Sequence, residues 1–105
     1  MAEWFTVAQA DALGPGERDV FDVEGYYIAV FNVDGTYYAI EDACTHDDGP
    51  LAEGELEGFE IECPRHGARF DLRTGKALSL PAVTPTKRFD VRVQDGAVQV
   101  LVDED

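Results

Sequence analysis

Apolar and polar residues alternate along most of this chain. Tyr26–Val33 reads YYIAVFNV and Thr36–Glu41 reads TYYAIE. Both are rich in aromatic and β-branched side chains, which fit a pleated, partly buried surface. Asp34-Gly35 between them is a two-residue hairpin signal, because the favoured turn needs positive φ at both central positions. Nearer the C-terminus, Phe89, Val91 and Val93 alternate with Asp90, Arg92 and Gln94. Asp95-Gly96 then turns the chain, and Val98, Val100 and Val102 alternate again. These features predict a second hairpin. WFTV (Trp4–Val7) and DVFDV (Asp19–Val23) predict further strands. Between them, AQADALGPGE has room for one helical turn, stopped at Gly14-Pro15-Gly16. Nowhere is there room for a long helix. Many short strands with frequent turn signals predict an all-β fold, a small antiparallel β-sandwich or barrel.

The alternation breaks between Asp42 and Pro81. This stretch is rich in Gly, Pro and charge and carries only short strand candidates, FEIEC (Phe59–Cys63) and ARFDL (Ala68–Leu72). The expectation is one domain over 1–105, with a functional insertion at approximately 42–82 held on the β scaffold.

Composition narrows the function classes. A chain of 105 residues, 45% of them hydrophobic, can build a core without disulfide staples. Asp and Glu number 22 against 8 Lys and Arg, a net charge of −14. That balance argues against nucleic acid and anionic membranes, which need basic neutralisation, and permits steering toward a basic partner face. The N-terminus has neither the basic region nor the apolar run of a signal peptide. No apolar run reaches the ~18 residues of a membrane span. Two cysteines make no secreted disulfide framework, so a cytoplasmic setting with reduced thiols is expected.

The chemistry-bearing residues lie inside the insertion. ACTHDDGPL supplies Cys44-x-His46, and IECPRHGARF supplies Cys63-x-x-His66, with sixteen residues between the pairs. These four are all the cysteines and histidines of the chain. Ligands two or three apart on a tight loop converge on one site, and thiolate with imidazole suits Zn²⁺ or an iron–sulfur cluster. Pro64 restricts the backbone between Cys63 and His66, and Gly67 lets the chain turn at once afterwards. Two purely structural Cys–His pairs would be an unusual coincidence. A Cys–His hydrolase would leave the second pair unexplained and would need an oxyanion site. A structural Cys₂His₂ zinc interaction module remains an alternative. In that class each segment usually supplies a like pair, whereas each segment here supplies one Cys and one His. The mixed order suits a binuclear cluster, with both thiolates on one iron and both imidazoles on the other.

C-T-H followed by C-P-x-H-G resembles the Rieske [2Fe–2S] signature. Gly54 after the first segment, FDLRTGKAL (Phe70–Leu78) after the second and LPA (Leu80–Ala82) as a covering proline loop extend the match over nearly the whole chain. In length and motif the chain is similar to the Rieske-type ferredoxins of bacterial ring-hydroxylating dioxygenase systems. The resemblance implies two small antiparallel sheets with a cluster-binding subdomain at one tip. It implies one [2Fe–2S] cluster, with Cys44 and Cys63 on the inner iron and His46 and His66 on the outer, solvent-facing one. It further implies a soluble electron carrier rather than an enzyme, with no catalytic residue. Its partners would be an NAD(P)H-dependent flavoprotein reductase and a terminal non-heme iron oxygenase, acting in aromatic hydrocarbon catabolism. A monomer is expected. Alternatives within the resemblance are a nitrite-reductase-small-subunit-like protein or an electron donor to another oxidoreductase. An oxygenase active site would need further histidines, and none remains.

Departures from the family's high-potential branch point to the low end of the Rieske range, about −150 mV. That branch resembles C-T-H-L-G-C and C-P-C-H-G-S, its extra cysteines forming a disulfide across the loops. Here Asp47, Asp48 and Gly49 follow His46, and Arg65 stands between Pro64 and His66. Ala68 and Phe70 stand where that branch carries a serine and a tyrosine hydroxyl. Each lost hydrogen bond disfavours the more negative, reduced state, and carboxylates beside the cluster act in the same sense. The exposed His edge, with Asp47, Asp48, Pro50, Arg65 and Pro81, is the expected docking face.

Overall fold

The computed structural model describes residues 2–43, 51–64, 67–80 and 84–103. It is an all-β molecule of ten strands among the described residues: β1 Ala2–Gln9, β2 Arg18–Val23, β3 Tyr26–Val33, β4 Thr36–Glu41, β5 Leu56–Glu57, β6 Glu60–Glu62, β7 Arg69–Asp71, β8 Arg88–Phe89, β9 Val91–Gln94 and β10 Ala97–Asp103. The expected helical turn is a 3₁₀ turn at Ala10–Ala12. Three antiparallel sheets form, in the orders β1-β10-β9, β2-β3-β4-β8 and β5-β6-β7.

Positive φ at Asp34-Gly35 and Asp95-Gly96 makes both hairpin turns as their sequence signals demand. A third such turn, at Glu24-Gly25, joins β2 to β3 without a favoured first residue. The final hairpin differs from expectation in one respect. Its first strand is split at exposed Asp90, so that β8 pairs with β4 while β9 pairs with β10. The chain changes sheets there, a corner of the sandwich. Val93, inward by strict alternation, is half exposed on the edge strand β9.

The middle sheet carries a core on each face. Ile28 and Val30 of β3 pack with Ala39, Phe89, Val98, Val100 and Val102 on the first sheet's side. Ala29, Phe31 and Val33 of the same strand pack with Ile40, Leu51, Ile61, Phe70 and Leu72 on the side of β5-β6-β7. A strand buried on both faces reads as a nearly continuous apolar run rather than an alternation, which is what IAVFNV is. Its one polar residue, Asn32, is buried with every polar group used. Asn32 Nδ2 donates to the Leu13 carbonyl and Oδ1 accepts from Gly35 N–H. Its backbone N–H and C=O pair with Glu17 and Gly16. Tyr37 adds a hydroxyl 2.9 Å from the Ala10 and Leu13 carbonyls. Together they fix the 3₁₀ turn against the hairpin.

Candidate metal centre

The small sheet β5-β6-β7 lies within the stretch singled out by its composition, and it positions Cys63 of the second candidate segment. FEIEC and ARFDL become β6 and β7, paired Glu60↔Asp71, Ile61↔Phe70 and Glu62↔Arg69. β5 was not expected; its two residues pair Leu56↔Ile61 and Glu57↔Glu60. Period two sends Ile61 inward and Glu62 outward, so Cys63 points inward again. Cys63 is almost fully buried and in no disulfide, among Leu51, Ala68, Phe70 and Leu72. Its N–H donates to the Ala68 carbonyl at 2.6 Å, and its carbonyl accepts from Gly67 N–H at 2.9 Å. Gly67 has φ +75°, the left-handed region where glycine is favoured. The turn that carries Cys63 is thus closed by its own backbone. A soft sulfur donor in a rigid, apolar-walled hairpin end fits an iron–sulfur centre, whose properties depend on a dry, well-supported surround.

Cys44, His46 and His66 lie outside the described residues, as do Asp47, Asp48, Pro50, Arg65 and Pro81 of the expected docking face. The approach to the first segment is described. β4 ends at Glu41, whose N–H donates to Lys87 O at 2.8 Å, and Asp42 N–H donates to Tyr27 O at 2.7 Å. Asp42 Oδ1 then accepts from the N–H groups of Leu51 and Ala52, at 2.8 and 2.7 Å. The buried hydroxyl of Thr86 lies 3.3 Å from the carbonyls of both Glu41 and Ala43. Thr86 N–H donates to Gly75 O, so this residue ties the base of the first segment to the turn after β7. Gly54 packs directly on β6: a Cβ there would overlap the Glu62 carbonyl oxygen. Beyond β7, Leu78 N–H donates to Arg69 O and Arg69 N–H to Ser79 Oγ. That return leaves Leu78 exposed, and with it Leu80, the first residue of the expected proline loop.

The outer face of the small sheet is charged. Arg69 lies 3.5–4.0 Å from the carboxylates of Glu57, Glu60 and Glu62. These are solvent-accessible pairs, individually worth little. Hydrogen bonding to the Arg73 side chain holds the Asp71 carboxyl below its ordinary value of 3.8, against the opposing effect of burial. A depressed folded-state pKa contributes stability present above that ordinary value and lost as pH falls through the folded one. Among the described residues, no group of three or more His, Cys, Asp or Glu converges to hold a metal.

Sequence reading missed Asp42 and Thr86. A short Asp at a loop entrance is a known acceptor for backbone N–H groups a few residues on, and that signal could have drawn attention to Asp42. Thr86 had no local signal, since the partners of its hydroxyl lie more than 40 residues away in sequence.

The Rieske [2Fe–2S] domain model matches residues 3–98. The 3-phenylpropionate/cinnamic acid dioxygenase ferredoxin subunit of Photorhabdus laumondii is 47% identical over 79 residues, 74% of this chain and 75% of that one. Among solved structures, the ferredoxin of carbazole 1,9a-dioxygenase from Nocardioides aromaticivorans superposes with a TM-score of 0.88 at 38% identity, covering 92% of this chain and 95% of that one. A ferredoxin solved in a complex of reduced oxygenase and oxidized ferredoxin of carbazole 1,9a-dioxygenase gives 0.87 at 40% identity, covering 92% and 91%. With its all-β scaffold, its buried Cys63 and a match spanning nearly its whole length, this chain belongs to the Rieske [2Fe–2S] family, on the side of the electron-carrying ferredoxins.

Proposed function

We propose that this protein carries single electrons from an NAD(P)H-dependent flavoprotein reductase to a terminal non-heme iron oxygenase of a ring-hydroxylating system. The observation that supports it most is the joint match of family and architecture to ferredoxin components, one of them solved in complex with its oxygenase. When bound, the family's [2Fe–2S] cluster supplies a one-electron acceptor and donor. Its ligands on this reading are Cys44 and Cys63 for the inner iron, and His46 and His66 for the outer. Residues 1–105 act as one domain, in which approximately 42–82 holds the cluster. Cys63, buried and immobilised by its hairpin, sets the inner side. On the same reading His46 and His66 would form the edge through which partners exchange electrons, and Asp47, Asp48, Pro50, Arg65 and Pro81 would belong to the docking face. A cytoplasmic setting, where thiols stay reduced, suits this ligand set.

The potential belongs at the low end of the Rieske range. Ala68 and Phe70 are fully buried and apolar, so neither offers a hydroxyl to a cluster sulfur. The test is anaerobic reduction of the purified protein followed by EPR and a redox titration. The expected result is a Rieske-type signal and a midpoint near about −150 mV, moved upward by Ala68→Ser. A clearly positive midpoint in the unaltered protein would sink the low-potential reading, and bound zinc without iron or sulfide would sink the carrier reading itself.

A further inference from the structure

The two ligand segments are closed by different means. The turn at Cys63 is closed by backbone hydrogen bonds of its own hairpin, from Cys63 to Ala68 and from Gly67 to Cys63. The segment between Ala43 and Leu51 lies between strand β4 and a stretch that belongs to no strand. There the N–H groups of Leu51 and Ala52 converge on a single oxygen, Asp42 Oδ1, at 2.8 and 2.7 Å. We propose that Asp42 is the positioning residue of the first ligand segment, a non-covalent brace that holds its two ends together and thereby sets Cys44 and His46 against Cys63 and His66.

The surroundings give this brace leverage. Asp42 is itself anchored, because its N–H donates to Tyr27 O on β3. The neighbouring carbonyls of Glu41 and Ala43 are held by Thr86. At the far end Leu51 is fully buried in the same core as Cys63, so the Asp42–Leu51 hydrogen bond links the entrance of the first segment to the wall around the second segment's thiol. A chain with only two cysteines, both wanted as ligands, has none left for a disulfide brace. Hydrogen bonds to a carboxylate are about twice as strong as neutral ones, and a short side chain can aim one oxygen at two successive N–H groups. The chemistry needs an acceptor at Oδ1, and asparagine retains one.

This inference rests on the four-ligand reading given above. The experiment uses the holoprotein and reads cluster loss rather than activity. Unaltered protein, Asp42→Asn and Asp42→Ala are exposed to an iron chelator, bathophenanthroline, and bleaching of the visible absorption is followed, with EPR of the reduced form and far-ultraviolet circular dichroism in parallel. Loss of two charged hydrogen bonds should speed bleaching in Asp42→Ala by about tenfold or more and broaden its EPR signal, while Asp42→Asn stays within about threefold of the unaltered protein. The proposal is overturned if Asp42→Ala bleaches at the unaltered rate with an unchanged EPR signal. It is equally overturned if Asp42→Asn loses its cluster as fast as Asp42→Ala, since an acceptor would then not be what matters. Should Asp42→Ala fail to fold by circular dichroism, Asp42→Asn decides: retention supports the brace and rapid loss refutes it. The unaltered protein alone tests the ligand reading, because absence of a Rieske-type signal there would fail that reading whatever the variants do.

Discussion

Single residues do their work here through what their neighbours leave room for. Gly54 is a case of close approach rather than of unusual backbone conformation, because the Glu62 carbonyl occupies the space a Cβ would take. That contact seats the stretch after the first ligand segment on β6, one residue before Cys63. Gly54→Ala should therefore force two backbones apart, at a cost of ~2 kcal/mol or more. The measurement is thermal unfolding, where a domain of this size should lose on the order of 10 °C. An unchanged midpoint would mean that the two segments separate without cost. Thr86 and Asp42 belong to the same class of residue: small, polar, and placed to satisfy backbone groups at the foot of a loop.

At the scale of elements, β3 is the member on which the others depend. It lies between β2 and β4 in the plane of its sheet and between two cores across it. Ile28 and Val30 hold the first sheet, while Ala29, Phe31 and Val33 hold the sheet that carries Cys63. Full burial of each large side chain is worth ~1.5–3 kcal/mol. Phe31→Ala, which empties a site in the core shared with Cys63, should lower unfolding free energy by ~3–5 kcal/mol. Urea titration checks this, with Val93→Thr on the half-exposed edge strand as the comparison, expected within about 0.5 kcal/mol of the unaltered protein. Equal losses in the two variants would contradict the central role of β3. The split of the final strand at Asp90 belongs to this scale too. Alternation from Phe89 to Val93 is read correctly as extended chain, yet alternation does not say which sheet an extended residue joins.

For the whole molecule, charge is the dominant property. A net of −14 on 105 residues generates a field that extends beyond contact distance at low salt. If electron delivery runs through a basic partner face, association should slow as salt rises. Between about 0.01 M and 0.15 M the Debye length falls from ~30 to ~8 Å, and the bimolecular rate with the oxygenase should fall by ~tenfold or more. Stopped-flow reduction of the oxygenase at a series of ionic strengths checks it. A flat salt series, or a rate indifferent to charge reversal at Asp47 and Asp48, would place docking elsewhere.

Much of this protein was legible in its sequence, for physical reasons that can be located. Strand content, the Asp34-Gly35 and Asp95-Gly96 turns and the near absence of helix follow from local sterics and periodicity, which act over two to eight residues. The four Cys and His at Cys44, His46, Cys63 and His66 stood out as candidate ligands because chelation needs close spacing, and close spacing survives in one dimension. The tertiary structure decided what depends on partners far apart in the chain. It set β1 against β10, turned the last strand from one sheet to the other at Asp90, and packed both faces of β3. It also gave Asp42 and Thr86 their tasks, since a carboxylate or hydroxyl acquires a role only when folding brings backbone groups within ~3 Å of it. Ligand identity is a property of residue chemistry; the support that holds a ligand is a property of the folded surround.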